Sequence, residues 1–236
     1  MNEPRTKRGE QTKAKLLAAA EAVFSEQGYQ AASISRITER AKVAQGTFYL
    51  YFESKLDLFE QLVDDLNRRV RKAMSDGAAR GANRAEAERE GFREFFAFTA
   101  EHPALYRVVR EAEYVSPGAM RSHYERIVEG YREGLERARA NGEIGDVDPE
   151  VAAWALMGVG EMIGMRYVLW PTAESGPYGS GATPVPDPVF DEMVAFVQRA
   201  LGTAPPAPAA AAAPAGRTPA TASHTAATAA HTEEDA

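Results

Sequence analysis

Three times from residue 116 onward the chain places a capping side chain directly before a proline and then continues with apolar residues at helical spacing: Ser116-Pro117, Asp148-Pro149 and Asp187-Pro188. A proline at the first helical position has its φ already set and lacks an amide that would have no partner there. The Ser or Asp before it can accept from the free amides of the first turn. These signals predict helices from Pro117 to about Ala140, Pro149 to about Trp170 and Pro188 to about Leu201. The first half keeps the same period. Leu16, Leu17, Ala20, Val23 and Phe24 form one stripe, so a first helix runs from about Gln11 to Gln27, with Gly28 just past its end. Ser33 caps a short second helix whose Ile34 and Ile37 face inward, Lys42-Val43 is a tight connection, and a short third helix spans about Ala44–Tyr51. Ser54-Lys-Leu-Asp57 fits a capping box that opens a fourth helix, to about Met74. Asn83 to Glu101 and Pro103 to Glu113 complete the set. No run alternates strand-forming residues, so the expected fold is all-α, with about nine helices.

The chain has no cysteine, which excludes disulfide scaffolds, thiolate metal sites and cysteine nucleophiles. His102 and His123 are the histidines of the body, with no HExxH pair and no phosphate loop. No cofactor, metal or catalytic residue is therefore expected, and an α-helical enzyme is the weaker reading. An excess of basic charge is confined to one end: residues 1–58 carry nine Lys/Arg against seven Asp/Glu, whereas the whole chain has a net charge of -7. A slightly basic head on an acidic body favours an anionic partner for the head. The charged N-terminus lacks an apolar signal segment, and the apolar helix 149–170 carries Glu161 and Arg166, each costly in a bilayer. The chain reads as cytoplasmic and not membrane-bound. From Thr203 onward it holds fifteen Ala, five Pro and six Thr and no aromatic residue, too little apolar bulk to offset its ordering entropy. The expected division is a slightly basic head over 1–58, an acidic body over 59–202, and a disordered tail over 203–236.

Residues 33–55, SISRITERAKVAQGTFYLYFESK, place two short helices around a tight turn, a helix-turn-helix. The second opens with small residues, Ala44 and Gly46, which let its backbone approach a duplex. Gln45 and Thr47 can reach base edges; Tyr49 and Tyr51 carry hydroxyls one turn on, at the height of phosphates. Lys55 stands at the positive end of the next helix, where an anion is already favoured. The segment resembles the TetR family of bacterial transcriptional regulators. The likeness rests on Phe24 to Gly28-Tyr29, on Ser33-Ile34-Ser35-Arg36-Ile37, on Val43-Ala44-Gln45-Gly46-Thr47-Phe48-Tyr49-Leu50-Tyr51-Phe52, and on Lys55, and it covers about residues 9–66. It departs at Ala44, where the family often has Ser or Thr, and at Leu50, where a polar aromatic is common. The resemblance implies binding to a double-stranded DNA operator, with Ser33, Ser35, Arg36, Gln45, Gly46, Thr47, Tyr49, Tyr51 and Lys55 as the contact residues. Phe48 is expected in the core, facing Phe24 and Ile37.

For the body the resemblance implies a homodimer joined through helices of about 149–170 and 187–201. Gly158, Gly160 and Gly164 would permit close approach there, and Phe190, Met193, Val194, Phe196 and Val197 would supply the apolar surface. It also implies a pocket whose ligand changes DNA affinity, most often in a repressor. The candidate lining is Phe96, Tyr106, Arg110, Tyr124, Trp154, Met157, Glu161 and Met162, with an ion pair through Glu161 or Arg166 as the alternative role. The expected effector is a small hydrophobic compound or an acyl-CoA-type thioester. A DNA-binding architectural protein with no small ligand is the competing reading.

Overall fold

The computed structural model describes residues 6–170 and 185–203. Among the described residues there is no strand. Nine α-helices follow in order: α1 Lys7–Ala31, α2 Ile34–Ala41, α3 Gln45–Phe48, α4 Lys55–Ala78, α5 Arg84–Glu101, α6 Ala104–Val115, α7 Pro117–Ala140, α8 Pro149–Gly164 and α9 Asp187–Leu201. A π-helical turn, Met165–Leu169, prolongs α8. The fold is all-α, as its helix signals require. The expected loop over 172–186 lies outside the described residues up to 184, and so does the Ala/Pro/Thr-rich tail beyond Thr203.

Most of the caps form where the sequence places them. Ser33 Oγ accepts from Arg36 N at 3.2 Å, Ser54 Oγ from Asp57 N at 3.1 Å, and Asp148 Oδ1 from Val151 N at 2.9 Å. Asp57 reaches back to accept from Glu53 N at 2.8 Å, one residue before the cap. Three expectations need correction. Ser116 does not cap α7; its hydroxyl lies 2.7 Å from Glu60 Oε1, an acceptor on α4. Asp187 is already inside α9, which is preceded by Pro186. The first helix begins earlier than its apolar stripe, because Thr6 accepts from Gly9 N at 3.2 Å. Gly28 breaks that helix at φ 75°, ψ 166°, and one further turn follows it.

The buried residues fall in two clusters. The first joins Leu16, Val23 and Phe24 of α1 and Ile37 of α2 to Leu58, Phe59, Leu62, Leu66 and Val70 of α4, and to Val108 and Val109 of α6. The second lies among α5, α7, α8 and α9, around Phe92, Phe96, Leu135, Leu156, Phe190 and Val197. Each such side chain contributes about 1.5–3 kcal/mol by leaving water. The core therefore runs without interruption from the N-terminal helices into the body. Helix α4 is the shared member, packing on α1, α5, α6 and α7.

Candidate nucleic-acid interface and effector cavity

Helix α2 ends at Lys42, which takes the left-handed conformation at φ 56°, ψ 43°, its amide bonded to the carbonyls of Thr38 and Glu39. Val43 N also donates to Thr38 O at 3.0 Å. This closed turn sends the chain sharply into α3. That helix has no side-chain cap at Ala44 and lasts only four residues. Its anchor is Phe48, fully buried, whose ring lies 5.4 Å from that of Phe52 and 5.2 Å from that of Tyr49. With Phe48 inward, Gln45, Gly46, Tyr49 and Leu50 are exposed, and Thr47 is half-buried. Tyr49 and Leu50 are 55% and 64% exposed, unusual for large side chains beside a core. A Cβ built on Gly46 would meet nothing within 4 Å, so another backbone or a phosphate has room to approach.

The other expected contacts divide. Ser33 and Ser35 are both exposed at the start of α2, with Ser33 serving as its cap. Arg36 is exposed, its guanidinium beside Gln27 Oε1. Tyr51 is half-buried and packs on the core. Lys55 turns inward. Its ammonium donates to the carbonyls of Tyr29 at 2.8 Å and Ala32 at 2.9 Å, with Gln30 at 3.4 Å, and lies 4.3 Å from the centre of the Tyr29 ring. These are carbonyls that a helix end leaves without partners. Glu111 of α6 completes the joint by accepting from Tyr29 N with both carboxylate oxygens, at 3.0 and 2.9 Å. Gly28 makes room for it: a Cβ there would sit 2.6 Å from Glu111 Oε1. Glu111, 82 residues from its partner, carries no local signal in the sequence.

In the body a narrow cavity of about 40 Å³ lies between α5, α6, α7 and α8. Of the expected lining, Tyr106, Tyr124, Met157 and Glu161 are there. Phe96 is packed into the aromatic core with Phe92, Phe95 and Phe190. Arg110 is not a wall residue; its guanidinium donates to Met165 Sδ at 3.2 Å. Trp154 and Met162 do not reach the cavity and are exposed on the outer face of α8, 42% and 55%. Phe92, Phe95, His123 and Tyr131 line it as well. Glu161 accepts from Tyr124 OH at 2.8 Å and makes no pair with Arg166, which stands over the Tyr167 ring. Burial and the adjacent Glu161 raise the Tyr124 hydroxyl well above its ordinary range. Burial alone pushes His123 down to about 4, so its ring is neutral. Tyr106 OH is buried against Gly164 and beside Thr99, and burial raises it well above its ordinary range.

The outer face of α8 and α9 also differs from expectation. Gly160 and Gly164 point into their own subunit: a Cβ on the first would meet Phe92 at 2.9 Å, and one on the second would overlap Tyr106 OH. Only Gly158 of the three faces open space. Phe190, Met193, Val194 and Val197 are buried in the subunit's own core, and only Phe196 projects, 54% exposed. Val151, Trp154 and Met162 of α8 continue this exposed apolar surface. Among the described residues no helix is long and apolar enough to cross a membrane, and no group of His, Asp and Glu could hold a metal ion.

Comparison with known proteins bears on the head first. The profile of "Bacterial regulatory proteins, tetR family" matches residues 16–62, which hold the helix-turn-helix and its anchors. The matched segment carries the TetR-type helix-turn-helix. It is 42% identical over 65 residues to the uncharacterized HTH-type transcriptional regulator YdgC of Bacillus subtilis (strain 168), covering 28% of this chain and 33% of that protein. It is 33% identical over 114 residues to the HTH-type transcriptional activator FasR of Mycolicibacterium smegmatis, covering 45% and 49%. The chain thus spans from a third to about half of these curated relatives. The likeness of fold extends further. The structure of the Bacillus subtilis transcriptional regulator FadR in complex with stearoyl-CoA matches 81% of this chain and 98% of its own, with a TM-score of 0.64 at 19% identity.

Proposed function

We propose that the protein is a ligand-responsive transcriptional regulator that binds a double-stranded DNA operator as a homodimer. The reading is that of a repressor released by a small hydrophobic or acyl-CoA-type effector. One observation carries it: the closed turn at Lys42 and the buried Phe48 present Gln45, Gly46, Tyr49 and Leu50 together on one exposed face. Gln45 offers an amide able to read adenine, Leu50 an apolar surface for a thymine methyl, and Tyr49 a hydroxyl for a phosphate. The apolar strip of Val151, Trp154, Met162 and Phe196 is the proposed dimer face, which would set two heads at a fixed separation. The tail and the division of the chain at residues 58 and 202 are part of the same proposal. FasR is named an activator, so the direction of regulation is read separately, from a reporter gene driven by the selected operator.

The test is selection of binding sequences from a random duplex pool with the full chain. A two-fold symmetric consensus supports the reading. Gln45→Ala should change the consensus at one position of each half-site, because a bidentate amide–base pair discriminates by about 1–3 kcal/mol. Recovery of no enriched sequence by the unaltered protein would sink the proposal.

A further inference from the structure

Outside the cavity, between α4, α5 and α7, lies a groove of about 480 Å³ lined by five cations: Arg68, Arg71, Lys72, Arg84 and Arg137. The groove's one acid, Glu88, is already engaged by Arg84 and by Tyr131 OH at 2.6 Å. Arg68 and Lys72 hold Asp65 and Asp76 of their own helix. Arg71 and Arg137 have no ion pair or side-chain hydrogen bond among the described residues. The groove is open because α7 has no side chain at Gly130, where a Cβ would meet nothing within 4 Å. Cavity and groove share three wall residues, Met74, Ile127 and Tyr131. An apolar chamber whose one charged wall group is Glu161 therefore stands behind a strongly basic one.

We infer that these are two halves of one ligand site, and that its ligand is an amphipathic anion. The apolar tail enters the cavity, and a phosphate-bearing head lies in the groove against Arg71 and Arg137. This rests on the effector reading above and names the ligand class within it. An anionic group inside the cavity would face Glu161 with no cation on the wall, so the charge belongs outside. Arginine forks match phosphate oxygens in pairs, and a head with several such charges uses the cluster where a lone carboxylate uses little of it. The cavity's 40 Å³ is far below the ~300–1,000 Å³ of ligand pockets, so a tail enters only as wall side chains move. Met74, half-buried and flexible, is the residue on the shared wall best able to do so.

The phosphate-bearing amphiphile could be an acyl-CoA thioester or a lysophospholipid, and calorimetric titration of the full chain separates them. Hexadecanoyl-CoA, hexadecanoyl lysophosphatidic acid, hexadecanoate and free CoA are compared. At least one phosphate-bearing amphiphile should bind about tenfold or more tightly than hexadecanoate and than CoA, and the tighter of the two identifies the head. Arg71→Glu with Arg137→Glu should weaken that ligand about tenfold or more and leave hexadecanoate unchanged. Gly130→Phe, which fills the groove from an open position, should weaken it likewise without lowering the melting temperature. Affinity unaffected by both variants, hexadecanoate binding as tightly as the phosphate-bearing ligands, or no binding by any of the four overturns the two-part site. Operator binding is read in parallel. A ligand held by the groove that leaves operator affinity unchanged upholds the site and removes the effector reading. A neutral apolar compound that releases operator equally from the unaltered and charge-reversed proteins does the opposite.

Discussion

His123 is the residue whose surroundings set a measurable demand on pH. Asn67 Nδ2 donates to His123 O at 2.8 Å and faces its Nδ1 at 3.1 Å, so Nδ1 acts as an acceptor and the ring is neutral. With the folded value lowered to about 4 from an ordinary 6.5, the unfolded chain binds the extra proton between those pH values. Stability is therefore full above pH 6.5 and falls as the pH drops toward 4, by about 3 kcal/mol in all from this group. Urea unfolding at about pH 7 and about pH 5 should show the loss, and His123→Phe should flatten that part of the profile; an equal slope in the variant would assign the loss elsewhere. Lys55 gives a second expectation. Its ammonium satisfies carbonyls at the end of α1, so Lys55→Met should cost about 2 kcal/mol of unfolding free energy through the loss of charge-assisted bonds. The slope of log affinity against log salt for operator DNA should stay unchanged, where a lost phosphate contact would reduce it by about 0.9. Residues such as Ser33, Ser54 and Asp148 were legible because a cap and its amide lie three positions apart. Lys55 and Glu111 were not, because their partners lie 26 and 82 residues away.

At the scale of elements, period and caps locate every helix, but they do not say which face meets which neighbour. Helix α8 is the case in point. Its glycines read as a close-packing stripe for a second subunit, yet Gly160 and Gly164 accommodate Phe92 and Tyr106 from α5 and α6. An apolar helix has no polar face to orient it, so only tertiary contacts reveal that Trp154 and Met162 point outward while Met157 and Glu161 point in. The joint at the end of α1 makes a sharper expectation. Gly28 holds φ 75°, ψ 166°, a region open essentially to glycine, and its missing Cβ admits the Glu111 carboxylate. Gly28→Ala should destabilise by about 1–3 kcal/mol through strain alone. Glu111→Gln keeps the shape and weakens the link to Tyr29 N, so it should cost less. Thermal unfolding of both variants checks the order; a larger loss in Glu111→Gln would place the weight on the carboxylate rather than the backbone.

Across the whole molecule, α4 joins what the head does to what the body holds. Its first residue clamps the end of α1, its middle is buried in the common core, and Met74 near its end forms part of the wall between cavity and groove. Its 24 residues make a rod of about 36 Å, so a tilt of about 5° moves one end by about 3 Å. The two heads of a dimer must match half-sites about 34–36 Å apart or a wider multiple of the helical turn, and such a shift takes one of them out of register. A ligand can drive the tilt only if it binds the two arrangements with different affinity. A tail wedged at Met74 meets that condition, because the cavity without it is too small to hold the tail. Coupling of about 1–3 kcal/mol corresponds to roughly 5–150-fold in operator affinity, and linkage makes it mutual. Saturating operator should therefore weaken the ligand by the same factor by which the ligand weakens operator binding. Fluorescence anisotropy of labelled operator across a ligand series, with calorimetry of the ligand in the presence and absence of operator, measures both factors. Ligand affinity that is identical with and without operator would show that the cavity and the head do not communicate through α4.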